Sequence, residues 1–168
     1  MALNLLIKHE EESLNTIVDG YEENECVIDS GAAECVAPPS LGRGFAIQES
    51  DGSRRGQCYL TADGNRLQNM GQKCIRAESN EGNIFNMNFQ IAGVTKPLMS
   101  VGKICDRGNV VSFDAYGGRI KNKATGISTR FERKNCVYVL SAWTKVPKNS
   151  SDSTTATGFK RPGNAHNP

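Results

Sequence analysis

Asp29, Ser30 and Gly31 stand between two apolar runs, Cys26-Val27-Ile28 and Cys35-Val36-Ala37. This arrangement predicts one carboxylate at a buried turn where two strands meet. A bare ionised carboxylate in an apolar site is costly, so Asp29 must be hydrogen-bonded, paired, or made to share a proton. Gly31 lets another backbone approach closely, and Ser30 offers a hydroxyl that both donates and accepts. Together these residue types suit acid–base chemistry at a carboxylate.

Three further stretches would have to position that turn. Residues 25–28 predict the strand entering it and residues 34–37 the strand leaving it, which Pro38-Pro39 ends because neither proline can donate to a ladder. Residues 57–66 carry Ala62-Asp63-Gly64, and Asp63-Gly64 predicts a hairpin with a two-residue primed turn. Leu98-Met99-Ser100 leads into a short helix over residues 100–106, stopped by Gly108.

The remaining chain reads mainly as strands. Phe85, Met87, Phe89 and Ile91 alternate with Asn86, Asn88 and Gln90, so one face of that strand should be buried. Strands are also expected over residues 73–77, 109–113 and 136–140, with a hairpin joining 119–123 to 129–132 and Trp143 pinning the last strand to the core. Residues 20–24 read as a polar turn, and residues 40–56 as a surface loop with one short strand over 45–48.

The stretch from Cys26 to Ala37 resembles the active-site signature of aspartic proteases, and its Ser variant followed by Ala is most similar to the protease region of copia-type retrotransposon polyproteins. The resemblance implies an all-β fold, a retropepsin-like acid-protease closed barrel with a flap hairpin, one short helix and an extra C-terminal hairpin. It implies Asp29, Ser30 and Gly31 as the catalytic turn, with Ala32 and the flap residues Ala62, Asp63 and Gly64 contacting substrate. Leu98-Met99-Ser100 matches the segment that passes beneath the catalytic turn in this family, with Ser100 where Gly is more usual. Two-lobed members carry two such turns in a chain about twice as long, whereas this chain has one, so the resemblance implies a homodimer sharing two Asp29 carboxylates. Carboxylates that close share one proton: the ionised one draws a proton from water, the protonated one donates to the scissile carbonyl. Ser30 would bridge across the dimer, and residues 109–113 could join the partner's sheet.

Composition sets limits on this reading. A chain of 168 residues with 38% hydrophobic content suits one core plus tails. The expected division is an N-terminal extension (1–20), a protease module (21–116), an additional hairpin and strand region packed on it (117–146) and a disordered tail (147–168). With 20 Lys and Arg against 18 Asp and Glu, the net +2 gives nucleic acid little support as a partner. Six widely spaced cysteines and two histidines predict no metal site and no cofactor, and the cysteines read as small core residues in a reducing compartment. The apolar run at residues 3–7 is too short for a signal peptide or a membrane span, so a cytoplasmic protein acting on a polyprotein or peptide substrate is expected. A second reading is a catalytically inactive protease-fold module serving dimerisation or peptide binding. A third is a phosphorylation-dependent degradation motif at residues 29–34, which would require exposure where the flanking residues point to burial.

Overall fold

The computed structural model describes residues 16–148, so the expectations for residues 1–15 and 149–168 lie outside the described residues. The chain is all-β, with twelve strands and two short helices among the described residues. In order these are β1 (Ile17–Val18), β2 (Tyr21–Asp29), β3 (Val36–Ala37), α1 (Asp51–Arg54), β4 (Cys58–Leu60) and β5 (Arg66–Gln68). They are followed by β6 (Gly71–Glu78), β7 (Ile84–Ile91), β8 (Leu98–Ser100), α2 (Val101–Asp106), β9 (Asn109–Phe113), β10 (Gly117–Asn122), β11 (Ser128–Lys134) and β12 (Val137–Lys145).

The main sheet runs β1-β2-β8-β3-β7-β6-β12-β11-β10-β9, and an additional pairing joins β2 to β12. The path β2-β8-β3-β7-β6-β12 therefore returns to β2 and closes on itself. Closure removes the open edges of those strands and leaves β9–β10–β11 as an antiparallel extension carried on β12. Inside the closed part, Phe89, Ile75, Ile91, Leu98 and Leu140 are fully buried. On β7 the period-two pattern holds: Met87, Phe89 and Ile91 are buried and Phe85 is half-buried, while Asn86 and Asn88 are exposed.

Several local expectations are corrected. Residues 21–24 belong to β2, not to a polar turn, and their polar side chains point inward: Glu22 and Asn24 are buried. Asn24 Nδ2 donates to Thr144 Oγ1 at 3.0 Å and to the Glu22 carbonyl at 3.1 Å, which satisfies a buried amide. In place of one short helix there are two, because Ser50 and Ser53 form a reciprocal cap on α1. The strand expected over 45–48 shrinks to a single bridge between Gln48 and Gln72. The exit strand is also shorter than residues 34–37, since only Val36 and Ala37 pair.

The region 117–146 is built into the sheet. β12 pairs with β2 over seven positions, from Val139↔Val27 to Lys145↔Tyr21, and with β6 at Trp143↔Glu78. Trp143 is buried and its Nε1 donates to Asn80 Oδ1 at 2.7 Å. The expected strand at 109–113 is present and pairs with β10 of its own chain, so only its other edge is available for a partner's sheet.

The cysteines do not sit together in the core. Cys26 is buried and Cys35 half-buried, but Cys58, Cys74, Cys105 and Cys136 are exposed, and all six are free thiols. Burial, with Cys35 and Glu25 nearby, pushes the Cys26 thiol up to about 12, so its reactive thiolate is scarce at neutral pH. An excess of a thiol-specific disulfide reagent at pH 8 should therefore modify four thiols rapidly in the native protein and all six after unfolding. Rapid native labelling of Cys26, read by peptide mass, would contradict this packing.

Candidate active site

The Asp29 turn is built by three strands that meet at it. β2 enters and ends on Asp29, β3 leaves seven residues later, and β8 runs between them, parallel to β2 and antiparallel to β3. The register places Val27 opposite Leu98, Ile28 opposite Met99 and Asp29 opposite Ser100, while Val36 faces Leu98 from the other side. Ser100 is 1% exposed, so a small side chain at this crossing follows from the space available. Its hydroxyl caps α2 by accepting from the Lys103 N–H at 3.3 Å, and its own N–H donates to Cys35 Sγ at 3.3 Å. One serine thus ties the crossing strand to both the helix and the exit of the turn.

The turn itself is less buried than its flanks suggest. Cys26, Ile28, Val36 and Ala37 are buried as expected, but Asp29 is half-buried and Ser30 and Gly31 are exposed. Burial therefore does not exclude the degradation-motif reading on its own. The Gly31 N–H donates to Asp29 Oδ1 at 2.7 Å, which fixes one carboxylate oxygen. No Lys or Arg forms an ion pair with Asp29 among the described residues; the neighbouring cation, Lys103, is paired with Glu34 at 3.1 Å. The Ser30 side chain makes no hydrogen bond among the described residues, and Ala32 is buried.

The second predicted group, Ala62, Asp63 and Gly64, lies at the exposed tip of the separate β4–β5 hairpin. Its turn has three residues, not two. The Thr61 N–H donates to the Asn65 carbonyl at 3.0 Å, the Gly64 N–H donates to the Thr61 carbonyl at 2.9 Å, and only Gly64 is left-handed, at φ 82°. Asp63 is occupied as a staple. It accepts from the Thr61 hydroxyl and from Asn65 Nδ2, and the Thr61 bond above all holds its carboxyl below the usual range. No hydrogen bond or ion pair among the described residues joins this tip to the Asp29 turn.

The connection runs through the foot of the hairpin instead, at residues that the sequence reading did not single out. Asn69 is buried, its Nδ2 donates to Gln90 Oε1 at 2.9 Å and to the Tyr59 hydroxyl at 3.2 Å, and its Oδ1 accepts from the Gly71 N–H at 2.8 Å. The Met70 N–H also donates to the Ile91 carbonyl at 2.7 Å. Gln90 and Ile91 pair with Val36 and Ala37, so hairpin and turn share β7 and β3 as a common support. The sequence signal was one polar residue, Asn69, between two strand patterns and two places before a glycine at φ 127°.

Tyr59 reports on this junction. Burial first, and then the Glu34 carboxylate, push its phenol up to about 12. A phenol with a raised folded value favours folding while it stays protonated, and that contribution is lost as pH rises from about 10 to about 12. A titration of phenolate absorbance near 295 nm should contain a component with a midpoint of about 12 that Tyr59→Phe removes. If Tyr59→Phe leaves the high-pH part of the curve unchanged, the hairpin foot is not closed in this way.

A cavity of about 490 Å³ adjoins the exit of the turn, lined in part by Glu34, Cys35, Met87, Met99, Lys103 and Ile120, and its lining does not include Asp29. Among the described residues no group of three or more His, Cys, Asp or Glu side chains could hold a metal ion. No helix among them is long and apolar enough to cross a membrane. No protein-family model, curated protein or solved structure matches the chain.

Proposed function

We propose that this chain is an aspartic endopeptidase of the retropepsin-like type, active as a homodimer on a polyprotein or other extended peptide. The observation that carries this reading is the three-strand crossing at Asp29. A carboxylate ends one strand, a second strand leaves its turn, and a third passes between them with Ser100 in register with Asp29. The Gly31 N–H orients the carboxylate, and the absence of an own-chain cation among the described residues leaves it available to a second copy.

In this mechanism two Asp29 side chains, one per protomer, hold a single water and share one proton. The ionised carboxylate takes a proton from the water as the oxygen attacks the scissile carbonyl. The protonated carboxylate donates its proton to the carbonyl oxygen, and as the tetrahedral intermediate collapses the proton taken from the water passes to the leaving amine while a hydroxyl of the intermediate returns a proton to the second carboxylate. Ser30, without a hydrogen bond in its own loop, bridges the two turns. The β4–β5 hairpin serves as the flap, offering main-chain bonds to an extended substrate and excluding water. The closed β2-β8-β3-β7-β6-β12 path is the protease barrel in this reading, with β12 completing it.

Cleavage of an unstructured polypeptide is the direct test. The expected rate rises with the square of chain concentration where dimers are scarce, and Asp29→Asn removes it. Equal cleavage by Asp29→Asn overturns the reading in favour of an inactive module or a contaminating protease.

A further inference from the structure

The near-neutral total charge hides an uneven distribution. Residues 101–134 contain eight Lys and Arg against three Asp and Glu, a net +5 in a chain whose total is +2. The register of the β9–β10–β11 extension then sorts those charges by face. Gly118 lies against the Phe131 ring, on the face that also holds the edge-on cluster of Phe113, Phe131 and Tyr138. Arg119, one residue on, belongs to the opposite, outer face. It pairs directly with Arg130 of β11 on one side and Ser112 of β9 on the other. Lys121 follows on the same face, between Ser128 and Val110, and Arg119, Lys121 and Arg130 are all exposed.

Like charges directly opposite across two strands are destabilising. The acid that the structure sets at Arg130 is Glu81, whose Oε1 accepts from the Arg130 main-chain N–H at 2.8 Å. None of the described ion pairs includes Arg119, Lys121 or Arg130, and the nearby Lys134 is already paired with Glu25. One acid, Glu132, shares the face, opposite Gly117. At the same end, in the turn between β9 and β10, Tyr116 holds its side chain 88% exposed. Three unpaired cations on a flat strand face, hydroxyls beside them and an exposed aromatic ring at its end form a surface for phosphates with a base stacked nearby.

We infer that the outer face of β9, β10 and β11 binds single-stranded nucleic acid, with Arg119, Lys121 and Arg130 on the phosphates and Tyr116 against a base. This surface is separate from the Asp29 turn and does not depend on the peptidase reading. The arrangement also implies a conflict between stability and binding, because Arg119 and Arg130 stand directly opposite each other in the free protein and the ligand's negative charge relieves that pairing.

The full chain, titrated into a fluorescein-labelled twelve-nucleotide uridine RNA and its deoxythymidine counterpart, should raise the anisotropy of both. Three phosphate contacts on a single strand give a log–log salt slope of about −2, so raising salt from 50 to 200 mM weakens binding roughly 15- to 20-fold. Arg119→Glu should weaken binding at least about tenfold while raising the melting temperature of the free protein, since it replaces a like-charge pair with an attractive one. Lys121→Glu, on the same face, should weaken binding likewise. Tyr116→Ala should weaken binding and leave the salt slope unchanged. Unaltered binding by Arg119→Glu and Lys121→Glu overturns the proposal. So does poly-glutamate displacing the oligonucleotides at equal charge concentration, which would assign the face to an acidic protein instead.

Discussion

Asp29→Asn is expected to lower the peptide-cleavage rate by about 10²–10⁴-fold, the range associated with loss of a general acid or base. Its melting temperature should stay close to that of the unmodified chain. The two outcomes separate because the carboxylate is half-buried, forms no ion pair among the described residues and accepts one main-chain bond, from the Gly31 N–H. The amide oxygen of Asn can accept that same bond, so the turn survives while the ionisable oxygen does not. Mixing gives a sharper form of the test. If each site takes one Asp29 from each protomer and exchange is free, an equal amount of Asp29→Asn chain places half of the unmodified chains in mixed dimers and leaves about half the activity; a ninefold excess leaves roughly one tenth. An unmodified chain whose activity ignores any excess of Asp29→Asn would carry its chemistry within one protomer, and the shared-site account would fail.

Much of the architecture was legible because it depends on local contrast. The alternation across Phe85, Met87, Phe89 and Ile91 marked one buried face, and β7 presents it. The apolar runs around Asp29 marked two strands, and β2 and β3 meet there. The short helix expected over residues 100–106 and stopped by Gly108 is α2, and Ser100 proves to be its cap. What escaped depends on partners remote in sequence. Tyr21 to Asn24 looked like a polar turn because the residues that satisfy Asn24 lie on β12, about 120 positions away. The closing β2–β12 pairing was invisible for the same reason. The hairpin tip was legible as a turn but not as its type, since one hydrogen bond between Thr61 and Asn65 decides whether the loop has two residues or three. A four-residue helix such as α1 is too short for periodicity to register, and Ser53 at its third position is a weaker cap signal than Glu or Gln. In the site, the catalytic candidates could be read from side-chain type. The foot of the hairpin could not, because Asn69 matters only through Gln90 and Tyr59.

Lys73→Met is expected to destabilise the fold by about 3 kcal/mol and lower its melting temperature by roughly 10 °C. Lys73 lies on β6 and is 4% exposed, an unusual position for a cation without an acid partner. Its Nζ donates to the carbonyls of Pro39 at 2.7 Å, Leu41 at 2.9 Å and Gly42 at 3.4 Å, gathering the bend that follows β3. Methionine fills similar volume but satisfies none of these carbonyls, and a buried acceptor left without a donor costs about 1–3 kcal/mol. The opposing effect is that the ammonium is itself desolvated, and burial holds Lys73 below the usual lysine range. For a cation whose folded value is depressed, the unfolded chain binds more protons in that window, so the native state gains stability as pH rises toward 10.5. The gap between the unmodified chain and Lys73→Met should therefore widen from neutral pH toward pH 10 in urea unfolding. A gap that narrows over that range, or a change below about 1 kcal/mol at neutral pH, would mean that the three carbonyls are satisfied by water and not by Lys73. Because that bend directly follows β3, a loss of peptide cleavage in Lys73→Met should track the loss of folded protein. Cleavage per folded molecule that falls further would show that this contact also sets the position of the Asp29 turn.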